Sequence, residues 1–146
     1  MKKYEFTGET KRVELWNRTA TLHRIKATVE FGFVKVGELG GWIEKEENLS
    51  HEGKAWVCGD AEVCGDAEVF LASHVLVMGS VGSRNDFTTF FRDKDNEITV
   101  KCGCFLGKID KFLEKVTQTH GNNKYALVYR AAVEVAKLQI ELTERK

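Results

Sequence analysis

The chain has 146 residues, of which 42% are hydrophobic and 30% charged, as expected for one compact unit that buries a core. Its 22 Lys and Arg residues balance its 22 Asp and Glu residues, so no net charge attracts it to nucleic acid or to a membrane surface. It has no proline, no stretch near the ~18 apolar residues of a membrane span and no apolar segment typical of a secretory signal at its start. We therefore expect a cytoplasmic protein with reduced cysteines.

Residues 1–42 are predicted to form an N-terminal β segment. The stretches KYEFTGE and ATLHRIKATVEF mix apolar residues with polar neighbours in short alternating runs, which favours strands. The pair Gly40–Gly41 that follows is interpreted as a turn.

A six-residue repeat occupies residues 43–81. The stretch AWVCGDAEVCGDAEV, from Ala55 to Val69, contains the phrase CGDAEV twice, and valines recur every six residues as Val57, Val63, Val69, Val75 and Val81. Small residues follow the first four valines at a constant spacing, while Gly59 and Gly65 favour bends. This period predicts a short left-handed parallel β-helix, in which three hexapeptides form one triangular coil and stacked coils bury the valines.

Residues 82–146 are predicted to form a β-hairpin and two helices. The hairpin joins Phe87–Arg92 to Ile98–Cys102, and Asp93–Asn96 form its turn. The first helix has an apolar stripe at Ile109, Phe112, Leu113 and Val116 and ends near Gly121. The second begins at Asn122 or Asn123. Its apolar stripe is expected to be buried against the repeat or against another subunit, and consists of Tyr125, Val128, Ala132, Val135 and Leu138.

The histidines and cysteines are the candidates for catalysis and metal binding. A hexapeptide acyltransferase uses a histidine as general base, and His51 and His74 are the two within the repeat, with His74 preferred as the catalytic candidate and its side chain expected to face outward. Cys58 and Cys64 fall on successive sides of the predicted prism, so the cysteines are interpreted as small buried hydrophobes. No metal site and no cofactor is predicted.

Basic residues next to aromatic ones are the candidates for binding. Such pairs can stack on a planar ring and bind a phosphate. The residues chosen on this ground are Arg18, His23, Arg24, Lys26, Arg92, Lys101, Tyr125 and Arg130. We expect them to form pockets at the interfaces of a homo-oligomer, with a trimer favoured because triangular prisms pack about a threefold axis.

The chain resembles small hexapeptide-repeat, polymer-forming-like proteins encoded by phages and prophages. The resemblance is carried by the repeat and by three further stretches: TLHRIKA, VKVGELGGWIEKEENLSHEGKAWVCGDAEV and the segment from FTTFFRDKDNEITVKCGCF to the second helix. The resemblance implies a bacterial host cytoplasm and carries over no catalytic residue. A shared scaffold does not imply a shared function.

These observations favour a non-enzymatic phage accessory protein that acts in counter-defence. It would sequester an anionic nucleotide-like signal or block a host defence protein, with no membrane or long nucleic acid as partner. The alternatives are an acyltransferase that uses acetyl-coenzyme A and a purely structural assembly module.

Overall fold

A computed structural model describes residues 2–83 and 86–142, in which eight strands precede two α-helices. The strands are β1 (Tyr4–Leu15), β2 (Arg18–Ala27), β3 (Leu39–Ile43), β4 (Glu62–Val63), β5 (Val75–Val81), β6 (Asp86–Arg92), β7 (Ile98–Cys102) and β8 (Phe105–Lys108). The helices are α1 (Ile109–His120) and α2 (Lys124–Gln139). Neither of these described helices is long and apolar enough to cross a membrane.

The first sheet has the order β1–β2–β3–β4. Strands β1 and β2 form a long antiparallel hairpin in which Leu15 faces Arg18, so Trp16 and the next residue form its tip. Strand β3 pairs antiparallel with β2 and contains both Gly40 and Gly41, so the prediction of a turn there is wrong. A Cβ on Gly40 would lie 2.7 Å from the side chains of Ile25 and Trp56, which shows that this glycine permits close packing.

The second sheet is antiparallel throughout, in the order β5–β6–β7–β8. The predicted hairpin is confirmed, with Arg92 facing Ile98. The buried carboxylate of Asp93 closes the turn by accepting hydrogen bonds from the backbone N–H groups of Asp95 and Glu97. It also accepts one from the Thr99 hydroxyl and forms an ion pair with Lys108 on β8.

The prediction of a left-handed parallel β-helix is wrong. Within residues 49–71, the only strand among the described residues is β4, which pairs in parallel with β3. Val75 and Val81 belong to β5 and pair antiparallel with β6. Pairing β5 with β6, its neighbour in the sequence, closes only a short loop. This costs less chain entropy than bringing the chain back to stack on an earlier coil. The mainly β composition with C-terminal helices is as expected.

The six-residue period correctly indicates burial, although it does not indicate a prism. The valines and alanines of the duplicated phrase are buried, namely Ala55, Val57, Ala61, Val63, Ala67 and Val69. Gly59 and Gly65 have positive φ angles of 58° and 63°, which allow the chain to turn between successive buried pairs.

A buried asparagine fastens this irregular segment to the rest of the protein. The Asn48 side-chain oxygen accepts hydrogen bonds from the N–H groups of Glu44 and Lys45. Its amide nitrogen donates to the carbonyls of Gly65 and Ala67. The Asn48 side chain therefore provides hydrogen-bond partners for the backbone of residues 44–45 and of residues 65–67, which no continuous strand pairing joins.

Both helices are present where the sequence predicts them. Helix α1 ends at Gly121, whose φ is 61°, and α2 begins at Asn123, whose side chain accepts a hydrogen bond from Ala126 N. The predicted buried stripe of α2 is wrong for most of its members. The residues that α2 buries are mostly small, which lets the helix lie close to α1 and the sheet: Ala126, Tyr129, Ala132, Val133 and Ala136.

The second sheet separates two hydrophobic cores. Phe90 and Phe91 are neighbours on β6, so their side chains point to opposite faces. Phe90 packs with the helices, including Phe112 and Tyr129, whereas Phe91 belongs to the core that contains the repeat valines. The tip of the β1–β2 hairpin lies near β8 and α1, since Trp16 N donates a hydrogen bond to Cys104 O and Trp16 lines one cavity with residues of both elements.

Candidate functional site

A groove lies where the β1–β2 hairpin tip meets β8 and α1. The backbone N–H of Trp16 donates a 3.0 Å hydrogen bond to Cys104 O, and its indole Nε1–H lies 3.5 Å from Leu106 O. These contacts hold Trp16 beside β8, yet 69% of the residue remains exposed. An exposed tryptophan ring whose backbone is held in place can stack on a planar ligand.

Helix α1 forms the opposite wall of this groove. Because Phe112 and Val116 are buried against the core, residues on the other side of the helix face solvent. Lys111, Glu114, Lys115 and Gln118 recur at helical spacing on that side, and all four line the groove.

The cavity in the groove has a volume of about 450 Å³, within the usual range for small-molecule sites. Its floor is the start of β8, Phe105 to Gly107, and is largely apolar. Lys111 forms a 3.3 Å ion pair with Glu114, whereas Lys115 makes no ion pair with any other residue in the described ranges. The groove, called the Trp16 groove below, therefore combines an aromatic ring with an available positive charge.

A second, smaller compartment of about 220 Å³ adjoins the Trp16 groove. Its far end carries Ser83 and His120, with 3.2 Å between the serine Oγ and the histidine Nε2. The His120 ring also lies against Tyr129, with ring centroids 5.9 Å apart and an interplanar angle of 23°. It is called the His120 compartment below.

A separate polar pocket of about 230 Å³ contains Lys11, Glu62 and Lys101. Both lysines form ion pairs with the Glu62 carboxylate, at 2.6 Å from Lys11 and 2.9 Å from the buried Lys101. Burial opposes ionisation of Glu62, but the hydrogen bonds from the two lysines outweigh it and lower its pKa. The three groups largely neutralise one another, so this cluster is interpreted as a structural bridge between the two sheets.

The four predicted binding residues of β2 all have internal partners. Arg18 forms two hydrogen bonds with the Glu44 carboxylate, at 2.7 and 3.0 Å. The ring of His23 stacks on Phe6, with centroids 4.4 Å apart. Arg24 donates to Gly40 O and pairs with Glu9, while Lys26 pairs with Glu5.

The predicted binding residues nearer the C-terminus are likewise engaged or distant from the groove. Arg92 is buried and donates to Asn96 Oδ1 and Glu68 O. Arg130 donates to Asn122 Oδ1 and to Gly121 O, where α1 ends. Tyr125 is partly exposed, beside Lys124 on α2. The structure does not bring the eight predicted residues together, and none of them lines the Trp16 groove.

His74, the candidate catalytic base, is fully buried, so the expectation that it faces outward is wrong. Its Nδ1 accepts hydrogen bonds from the N–H groups of Phe70 and Leu71. Burial and the nearby Arg92 lower its pKa, and this outweighs the opposite effect of Glu141. A base must reach the proton that it removes, and His74 has no exposed surface from which to do so.

The cysteines differ in their surroundings. Cys64 is buried, and desolvation raises the pKa of its thiol to about 12, so it behaves as a small hydrophobe. Cys58 and Cys104 are exposed, and Cys104 lines both the Trp16 groove and the His120 compartment. Within residues 2–83 and 86–142, no group of three or more His, Cys, Asp or Glu residues has the geometry to hold a metal ion.

Lys115 and Gln118 are not among the residues that the sequence predicted for binding. Their spacing on the polar side of α1 is visible in the sequence, but every amphipathic helix has such a side. Trp16 is equally visible, and only the tertiary contact with β8 distinguishes it from any other tip residue.

Neither the known protein-family profiles nor the curated proteins include a match to this chain. Function is therefore inferred from the geometry of the groove.

Proposed function

We propose that the protein is a non-enzymatic binding protein, and that its Trp16 groove holds a small ligand in which a planar ring is joined to an anionic group. Nucleoside phosphates have this chemistry. The observation that carries the proposal is the exposed Trp16 ring, anchored through its backbone at the edge of an apolar groove.

The arrangement of the groove supports separate contacts for the two parts of such a ligand. The Trp16 ring offers a stacking surface, and base–aromatic stacking contributes about 1–3 kcal/mol per base. Lys115 offers an ammonium group with no ion-pair partner among the described residues, and Gln118 offers an amide that can pair with a base edge. The groove lies within a single chain, so binding does not depend on an oligomer interface.

The proposal is tested by titrating the purified protein with nucleoside monophosphates and with ribose 5-phosphate while measuring tryptophan fluorescence and heat. We expect the nucleotides to bind and the sugar phosphate, which lacks the ring, to bind at least tenfold more weakly. Trp16→Ala should weaken nucleotide binding by about 5- to 150-fold, as the stacking energy implies. Trp16→Phe should retain most of the affinity.

Two controls separate the groove from general surface effects. Phe33 is fully exposed on another loop, so Phe33→Ala should leave binding unchanged. Lys35 is exposed and paired with Glu30, so Lys35→Gln serves as the control for Lys115→Gln, which should weaken binding. Equal affinity of the Trp16→Ala and Phe33→Ala proteins, or no binding by any nucleotide, would contradict the proposal.

Alkylation of cysteines gives an independent measurement. Iodoacetamide should modify both exposed thiols of the free protein, and a bound nucleotide should protect Cys104, which lines the groove, but not Cys58. Peptide mass spectrometry compares the two within one sample. Equal protection of both cysteines would point to a general stabilising effect and not to occupancy of the groove.

The resemblance to small phage-encoded proteins supports a role in counter-defence, in which the groove would sequester a nucleotide-like signal of the host. Sequestration requires binding without turnover, so nucleotide recovered after long incubation should be chemically unchanged. Appearance of nucleoside or free phosphate with time would instead identify an enzyme. Homo-oligomerisation remains a prediction, although the corrected fold removes the triangular-prism reason for a trimer.

A further inference from the structure

The Trp16 groove and the His120 compartment adjoin one another. Both are lined by Cys104, Phe105 and Lys115, so they meet at these three residues. Lys115 lies at the junction, on the side of α1 that faces solvent. A ligand longer than a mononucleotide can therefore extend from Trp16 past Lys115 into the second compartment.

The His120 compartment is suited to a second planar ring. Phe105 and Phe112 lie 5.5 Å apart, and Tyr129 meets Phe112 edge to face at 5.6 Å, so three aromatic rings form part of its wall. Its volume is about 220 Å³. The pair of Ser83 and His120 supplies a hydrogen-bonding edge at its far end.

We propose that the ligand has two planar rings joined by an anionic bridge, as in two nucleosides linked by a phosphodiester. One ring stacks on Trp16, the bridge lies at Lys115, and the other ring enters the His120 compartment. This inference rests on the proposed function and adds to it the length and order of the ligand's parts. A single anionic bridge matches the single ammonium group that lines both cavities.

The experiment compares two ligands of equal charge by calorimetry. One is adenylyl-3′,5′-adenosine, which has two bases and one phosphodiester. The other is the methyl ester of adenosine 5′-monophosphate, which has the same single negative charge and only one base. We expect the dinucleotide to bind with a stoichiometry of one per chain and at least tenfold more tightly, since a second stacked base contributes substantially to affinity.

Substitutions in the His120 compartment test whether this compartment is the source of the tighter dinucleotide binding. His120→Ala should reduce dinucleotide binding about tenfold, to the level of the methyl ester, and leave methyl ester binding unchanged. Ser83→Leu, which places a larger apolar side chain beside His120 at the same end of the compartment, should have the same effect and guards against an indirect effect of the His120 substitution. His23→Ala, which removes a partly buried histidine from β2, is the matched control and should change neither affinity.

The possible outcomes separate this inference from the proposed function. Equal affinity for the two ligands overturns the two-ring inference while the single-ring function stands. A tighter dinucleotide that is insensitive to both His120→Ala and Ser83→Leu also overturns it. Failure of both ligands to bind, with Trp16→Ala indistinguishable from the unmodified protein, overturns the proposed function itself.

Discussion

Replacing Asn48 with alanine should destabilise the protein strongly, because this one side chain holds the repeat segment in place. It is fully buried and makes four hydrogen bonds of 3.0–3.1 Å with the backbone of Glu44, Lys45, Gly65 and Ala67. At a net contribution of about 1 kcal/mol each, their loss lowers the free energy of unfolding by about 4 kcal/mol. With a urea m-value of about 1–3 kcal/mol/M, the midpoint should fall by roughly 1–4 M.

Urea unfolding followed by tryptophan fluorescence measures this loss, and two further variants test its cause. Asn17→Ala, at an exposed position of the hairpin tip, should change stability by no more than about 0.5 kcal/mol. Asn48→Asp keeps the acceptor atom but points a carboxylate at the carbonyls of Gly65 and Ala67, so it should also be unstable at neutral pH and recover in part on acidification as the acid protonates. A midpoint shift below about 0.5 M for Asn48→Ala would refute the reasoning.

Three other substitutions have defined outcomes. Arg92→Ala leaves the carbonyl of Glu68 without its buried donor and should lower the free energy of unfolding by about 3 kcal/mol in urea titrations; nucleotide affinity should not change, and a specific loss of affinity would restore Arg92 as a binding residue. The pKa of His74 is lower in the folded than in the unfolded protein, so the unfolded state binds the proton first and stability should fall as pH drops below about 6.5. His74→Asn should reduce that fall in parallel urea titrations at pH 7 and 5.5, and an identical fall in both proteins would exclude His74 as its source. Gly40→Ala places a Cβ 2.7 Å from Trp56 and should cost about 1–3 kcal/mol in thermal unfolding, where an unchanged melting temperature would show that β3 has room for the methyl group.

Several elements of the fold could be predicted because their determinants are close together in the chain. The β6–β7 hairpin is closed by Asp93, which bonds to residues two and four positions along. The cap of α2 is likewise local, since Asn123 accepts from Ala126. Turns and caps of this kind can be predicted from the residue types at a few consecutive positions.

Predictions that needed distant residues were less successful. The small residues of α2 are buried because α1 and the second sheet lie against them, and a hydrophobicity pattern assigned that side to larger residues such as Leu138, which is exposed. From the sequence, Arg92 is predicted to be a surface cation and His74 an exposed base. In the structure both are buried, Arg92 donating to a backbone carbonyl and His74 accepting from a backbone N–H group. The charge of such a residue is visible in the sequence, but the burial of a charged side chain is not.

By itself, the sequence determined the β6–β7 hairpin, the C-terminal end of α1, the start of α2, and the burial of Val57, Val63 and Val69. Each of these follows from periodicity or from hydrogen bonds over a few residues. Only the tertiary structure decided that the repeat forms no prism and that Trp16 and Lys115 line one groove, because both depend on contacts between segments far apart in the chain. The same valine pattern allows the valines to be buried in a parallel β-helix or in the observed sheets. The direction of each strand therefore depends on the strand with which it pairs.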